Sequence, residues 1–554
     1  MEHIIGLSLS VFMLVGISLL LVPQQVFGGV IIMANITTGG DPMYMIYNPL
    51  NNYVYAINPE LGTVNVINGI RLIINITIGR GSPEGFGSNA IFDPKNGYIY
   101  VIPYSITANN TSISVINGTK VIASISLPGT ASGALLYDPA NGLIYVTSNK
   151  YGYVSMPNGY RSPSQIPVVG YVTVINGTVI IANITAAPRI GYILLNDLNN
   201  YIYITDAGSN TVLVLNGTKV VANLTTGIYP TYMILDYKND YVYVSNSNPY
   251  SQEGRMLPGT ISVINDTRVI ANITVGLYPS YMVYDQEDGY VYVSNLYSNY
   301  VSVINGTHLV TNVITGHNPD IMLYDPSNGY VYVGNVISFS PPYENGSVTV
   351  INSTRIIANI TTGTFPVPDV YDQTNGFVYV INYLSGSITI MNGTTIVNTI
   401  VTGGTPNSAL YNPYNDYVYV TNPRIGIITV LSPGITLPLS YTVTFIETGL
   451  PAGTKWSVTM NSVIKSSTTN EIAFITKPGM YTYTITSNNY IATPSSGKID
   501  ITGNTTVELA FSKNPSTNTP QVLSFTPTLL IIIILIIILI ISWLLIYIRR
   551  KIRK

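Results

Sequence analysis

The chain has 554 residues, a formal net charge of −2 and only 9% charged residues, against roughly a quarter in typical globular proteins. Its 47 Gly, 34 Pro and 45 Tyr favour short strands and turns over helices. With no cysteine, three histidines and no basic stripe, the composition excludes disulfides and thiolate metal sites, leaves little for an imidazole-built centre and gives no reason to expect a nucleic acid as partner. No cofactor and no metal are expected.

Residues 1–28 read as a signal peptide: the apolar run Ile4 to Val22 is followed by small or tolerated residues at Val26 to Gly28. Glu2 and His3 stand where Lys or Arg is usual, so an uncleaved N-terminal anchor is the alternative.

From Val30 to about Pro433 the sequence repeats every forty residues or so, the spacing of four-stranded propeller blades. One unit runs Arg268 to Gly276, Pro279 to Asn295 and Tyr300 to Thr307; its alternating, β-branched and aromatic segments end in Gly, Pro, Asn or Asp. Third-strand ends at Ile67, Ile116, Ile175, Leu215, Ile264, Ile304, Ile351, Met391 and Leu431 count nine units. Tyr419 to Asn422 reads YVTN, and YVSN recurs at Tyr243 and Tyr292. The chain therefore resembles the YVTN family of β-propeller repeats, common on archaeal and bacterial surfaces. That resemblance implies strand order A to D from the centre outward, with Val30 to Thr37 as an orphan outer strand completing a last blade whose third strand is Ile428 to Leu431. The expected fold is all-β, a single propeller of about nine blades over residues 30–434; two smaller propellers would need a second closure signature.

Residues 440–512 read as a small β-sandwich, from Tyr441 to Ser462, Gly479 to Ile485 and Val507 to Ser512. Its GLPAGTKWSV segment resembles a C-terminal module of archaeal secreted proteins, including those of the thermopsin class. A polar stalk follows at 513–526, then a transmembrane helix at 527–548: Thr528 to Tyr547 carries no charge and spans roughly 30 Å as a helix. The basic tail at 549–554 places the C-terminus in the cytoplasm and the bulk of the chain outside the cell.

Thermopsin-class proteins are acid proteases, but no Asp-Thr-Gly or Asp-Ser-Gly triplet occurs. Asp93, Asp138, Asp236, Asp285, Asp325 and Asp372 recur at one position before a turn, where Asp starts hairpins. The tyrosines of the YVY motifs read as core between blades, and no catalytic residue is assigned. His317 lies in a D-to-A loop and reads as solvated. Asn-x-Ser/Thr sequons crowd the outer strands at Asn35, Asn75, Asn183, Asn223, Asn272 and Asn359, and the C-to-D turns at Asn117, Asn176, Asn216, Asn265, Asn305, Asn352 and Asn392. NGT is also a good hairpin turn.

The A-to-B and C-to-D turns are tight. The opposite face carries insertions at Arg80 to Ser88, Ser148 to Gly170, Ser247 to Gly259 and Val336 to Gly346. They supply the candidate binding residues Tyr151, Tyr160, Arg161, Glu253, Arg255, Phe339, Tyr343 and Glu344. Sequons are sparse there, mainly Asn109, Asn110 and Asn345. The expected function is a membrane-anchored extracellular binding, adhesion or coat protein that presents this face to a protein or glycan. A hydrolase or lyase working in the propeller funnel, and a plain structural spacer, are the alternatives.

Overall fold

The computed structural model describes residues 29–79, 90–102, 111–152, 166–247, 255–432, 441–460, 463–476, 479–501, 505–514 and 535–546. The chain divides into two compact units, Met1–Ile435 and Thr436–Lys554.

The first unit is a β-propeller of nine blades, each a four-stranded antiparallel sheet with strands A to D. Blade 6 is representative: A is Pro279–Tyr284, B Val291–Asn295, C Tyr300–Asn305 and D His308–Ile314. The A strands of successive blades touch all the way round, the last (Ala409–Asn412) against the first (Tyr44–Asn48), which makes A the innermost strand. Ile31–Thr37 pairs antiparallel with Ile427–Ser432 and so supplies the outer strand of the ninth blade, as the orphan strand predicted.

Strand C is buried on both faces because blades stack on both sides of it; in Tyr300–Asn305 only the two ends are open. Strand D is the free edge. In every blade it carries a bulge at the same position, as at Val310, which is left unpaired between Leu309, opposite Ile304, and Thr311, opposite Val303. A bulge breaks the ladder that a second chain would extend, and so blunts an edge that is otherwise rich in exposed Val and Ile.

One strand-B tyrosine per blade is fully buried: Tyr55, Tyr100, Tyr145, Tyr203, Tyr243, Tyr292, Tyr332, Tyr379 and Tyr419. As expected they fill the space between blades, but they also bond across it. The Tyr243 hydroxyl donates to the Gly306 carbonyl at 2.8 Å, in the C-to-D turn of the next blade. Tyr292 does so to Ser353 at 2.8 Å, and Tyr419 to Gly69 at 2.9 Å, across the closure. Tyr55, Tyr100, Tyr203 and Tyr332 repeat the contact. Two differ: the Tyr145 hydroxyl accepts from Asn141 Nδ2 at 3.1 Å within its own blade, and the Tyr379 hydroxyl is buried without a partner. The ninth blade has no C-to-D turn to offer, since its third strand ends at Ser432 and its fourth begins at Ile31.

The recurrent aspartates hold turns. The Oδ1 atoms of Asp93, Asp138, Asp236, Asp285, Asp325 and Asp372 each accept a backbone N–H two residues on, at 2.9 Å.

The second unit corrects the sandwich expectation. Its eight strands, from Tyr441–Thr448 to Thr505–Lys513, form one continuous hydrogen-bonded sheet, not two separate ones. The long strand Gly479–Ser487 pairs with Trp456–Met460, Ser496–Ile501 and, at Ser487, Tyr490–Thr493, and this carries the ladder past the core. Phe445, Trp456, Phe474 and Phe511 share that core, and the Trp456 indole donates to the Thr469 carbonyl at 2.6 Å. Lys513, expected to open the stalk, ends the last strand. Residues 535–546 form a helix whose side chains are all exposed. No helix among the described residues is long and apolar enough to cross a membrane; of the span expected at 527–548, residues 527–534 and 547–548 lie outside the described residues. The signal peptide, the stalk beyond Asn514 and the basic tail lie outside the described residues.

Candidate functional site

Hydrogen bonds sort the connections into two faces. On one, the A-to-B turn of blade 4 meets the C-to-D turn of blade 5, where Asn199 Nδ2 donates to Asp266 Oδ1 at 2.9 Å. On the other, D-to-A loops meet B-to-C loops: the Leu277 N–H donates to Ser298 Oγ at 2.7 Å and the Thr364 N–H to Ser385 Oγ at 3.1 Å. The described ends of the insertions in blades 3, 5 and 7 lie between strands B and C, on this second face.

The blade 3 insertion is not a loop from its root. Strands Leu143–Gly152 and Ile166–Asn176 continue the ladder outward until Gly152 faces Ile166, because Val168 and Val169 keep the strand propensity going. Tyr151 sits near the end of that ladder, half-buried. Arg255, Phe339, Tyr343 and Glu344 are exposed. Tyr160, Arg161, Glu253, Asn109, Asn110 and the Arg80 to Ser88 insertion lie outside the described residues. The described candidates do not converge, since they belong to blades 3, 5 and 7. What Phe339 does meet is Phe365, edge to face with centroids 5.7 Å apart, and Phe365 in turn meets Tyr383 at 6.0 Å. Tyr278 and Tyr297 pair likewise at 5.6 Å.

These partners introduce residues that sequence reasoning missed. In five consecutive D-to-A loops the residue just before strand A has a left-handed backbone: Arg189 (φ 70°), Tyr229 (62°), Tyr278 (54°), Asn318 (46°) and Phe365 (59°). Only the asparagine tolerates that region readily, and each bulky residue costs roughly 1–2 kcal/mol there. The visible signal was a bulky residue before the Pro that opens strand A at Pro230, Pro279 and Pro366, where a right-handed conformation is already disfavoured. The turn is fastened from below: the Arg189 and Ile190 N–H groups both donate to Asn149 Oδ1, at 3.0 and 3.1 Å. Asn149, Tyr151, Arg189, Tyr192 and Tyr229 line an open groove of ≈ 440 Å³ on this face, within the size range of small-ligand sites. Burial pushes the Tyr192 hydroxyl pKa up, so it stays a neutral hydrogen-bonding group.

The sequon asparagines are exposed, except Asn265, which is half-buried. In the outer strands the side-chain oxygen is already engaged: Asn272 Oδ1 accepts from Ser262 Oγ at 2.6 Å and Asn183 Oδ1 from Thr173 Oγ1 at 2.8 Å. The amide nitrogen, the atom that N-glycosylation uses, points away from that bond. Among the described residues no cluster of three or more His, Cys, Asp or Glu could hold a metal ion.

No protein-family model matches the chain, and no curated protein does. Solved structures similar to it include the Dos1 propeller, at 10% identity and a TM-score of 0.46 over 73% of this chain and 96% of that one. BamB from Moraxella catarrhalis is similar at 12% identity and 0.39, over 64% and 95%. Hydrazine synthase of Kuenenia stuttgartiensis follows at 15% and 0.37, over 54% and 94%. Likenesses this distant carry no argument about activity; the nine-bladed fold rests on the sheets themselves.

Proposed function

We propose that this chain is a non-enzymatic binding protein whose propeller presents its D-to-A and B-to-C loops to an extracellular protein or glycan. The observation that carries the reading is the run of five left-handed residues on that face. Backbone strain of this kind persists only where the surroundings enforce it, and it concentrates at ligand-contacting sites. Here it displays Arg189, Tyr229, Tyr278 and Phe365 beside the insertions, and Tyr and Arg are the residue types that anchor interfaces. The opposite face, dense in sequons, is the poorer docking surface if those asparagines carry glycans. The uncharged run from Thr528 to Tyr547 and the basic residues after it support membrane attachment with the propeller outside the cell.

The test is a glycan and protein array probed with the full-length chain, beside two variants. One replaces Tyr160, Arg161, Arg255 and Tyr343 by Ala; the other replaces Tyr278 and Phe365 by Ala. Both should lose the array signal, and the first should melt at the temperature of the parent. Binding that survives both changes but disappears when the C-to-D turn sequons are removed would invert the face assignment. Protease on intact cells should digest the propeller, and a C-terminal tag should stay hidden until the cells are permeabilised.

A further inference from the structure

The innermost strands hold a feature that the loop face does not explain. In six successive blades, 3 to 8, the pairing of strand A with strand B slips part-way along the innermost strand. In blade 5 Pro230 faces Asn246 and Met233 faces Val244, so Thr231 and Tyr232 together oppose one residue. The same offset frees Gly191 and Tyr192 in blade 4, Ser280 and Tyr281 in blade 6, and Asp320 and Ile321 in blade 7, whereas in blade 8 the pairing holds through Pro368 and a later bulge frees Asp369 alone. The bulges are built in. The freed Tyr192, Tyr232 and Tyr281 N–H groups donate to Thr205, Ser245 and Ser294 hydroxyls of strand B, at 2.9, 3.1 and 3.1 Å. Bulges re-aim side chains and recur beside functional sites.

The re-aimed groups form an arc. Tyr192, Tyr232 and Tyr281 stand in a row with successive ring centroids 4.7 Å apart, and Asp320 of the next blade bonds Ser280, the neighbour of Tyr281. Burial, with a smaller contribution from the Asp369 charge, pushes up the hydroxyls of Tyr281 and Tyr44, two blades away on either side, so Asp369 lies within electrostatic reach of both. Asp369 Oδ2 accepts the Ala409 N–H at 2.5 Å and Asp320 Oδ1 accepts from Ser280 Oγ at 3.2 Å. The second oxygen of each has no hydrogen-bond partner among the described residues. No A strand contains Lys, Arg or His, so the described innermost strands offer neither carboxylate a cation.

We propose that the propeller channel is a binding site for an alkylammonium cation, held between the Asp320 and Asp369 carboxylates and the Tyr192, Tyr232 and Tyr281 rings. Two uncompensated carboxylates at the edge of a narrow space favour a positive guest. Tyrosine faces attract an ammonium group and also accommodate its alkyl stem. A hard divalent ion wants six or more oxygen ligands, several of them carboxylates, and two carboxylates among neutral phenols suit an organic cation better. The site is independent of the loop-face reading and stands or falls without it.

Calorimetric titration of the full-length chain with n-butylammonium chloride at pH 7.5, beside sodium and calcium chloride, tests the proposal. Saturable binding of n-butylammonium is expected, with Asp369→Asn and Asp320→Asn each weakening it at least tenfold. Tyr232→Leu should weaken it several-fold while Tyr232→Phe, which keeps the ring, changes it little. Melting temperatures of all four variants identify any that fail to fold. Absence of saturable binding overturns the proposal. So does calcium saturating the site in place of the ammonium, or an Asp369→Asn chain that melts differently but binds as before.

Discussion

The two faces of the propeller are built by opposite rules. On the tight-turn face all but one of the described connections use a residue suited to the backbone: Asp or Asn where a side chain must hold the turn, and Gly at most of the C-to-D turns, as at Gly306 (φ 58°), Ser353 (φ 53°) being the exception. Tyrosine hydroxyls from the neighbouring blade then lock those turns in place. On the loop face Arg, Tyr and Phe occupy left-handed positions that glycine would fill without cost. One face is optimised for stability and the other departs from that optimum in four of five consecutive blades. Such departures from local consistency are expected where function intervenes.

The largest effect that sharpens this comparison lies between the blades. Tyr332→Ala should cost about 3–5 kcal/mol in denaturant unfolding, whereas Tyr343→Ala, on an exposed loop, should stay within about 0.5 kcal/mol. Removing the hydroxyl alone separates two chemically identical positions. Tyr332→Phe strands the Gly393 carbonyl that it now serves at 3.1 Å and should cost about 1–2 kcal/mol. Tyr379→Phe removes an unpartnered hydroxyl and should be neutral or stabilising.

Glycine exchange tests the backbone rule directly. Gly306→Ala meets no atom within 4 Å of the added methyl, so its cost of roughly 1 kcal/mol should be purely conformational. Tyr229→Gly should leave stability level or raise it by up to about 1 kcal/mol, because relief of the left-handed strain outweighs or offsets the freedom that glycine adds to the unfolded chain. A clear loss of stability in Tyr229→Gly would mean that the ring is held for packing, and the contrast between the faces would collapse.

The smallest effect is one of pH. Burial raises Asp369 to about 6 from 3.8, and burial also raises Asp41, Asp320 and Asp372. A carboxyl whose folded pKa is raised contributes stability below its unfolded value and loses it as pH rises through the folded one. Acidification from pH 6.5 to 4 should therefore hold or slightly raise the melting temperature, and Asp369→Asn should flatten the profile. A fall across that window would show that other carboxylates, stabilised in their charged form, dominate.

The fold was legible in the sequence because a forty-residue period repeats its strands, turns and closing strand with little variation. Asp236 and its equivalents announced turns, and they make them. Strand lengths alone did not reveal that the strands of the expected sandwich are joined into one ladder through the single pair Ser487 and Tyr490. The loop-face and channel residues were harder to see. Tyr232 and Tyr281 differ from the core tyrosines only in a bulge, which depends on pairing register, and register is a property of two strands together. The left-handed state of Tyr278 or Phe365 leaves only the proline that follows each as its trace in the sequence.

The clasp between Ile31–Thr37 and Ile427–Ser432 also sets a schedule for assembly. Joining segments about 400 residues apart costs about 5 kcal/mol of chain entropy, and nothing repays it until the last strand has left the ribosome. Until that moment the nascent molecule is an open arc with two bare sheet edges. The blade beside the joint is also the one whose tyrosine, Tyr379, has no turn to hold. Growth of the arc proceeds blade by blade, whereas completion of the circle is a single late event in which the first-made strand waits for the last.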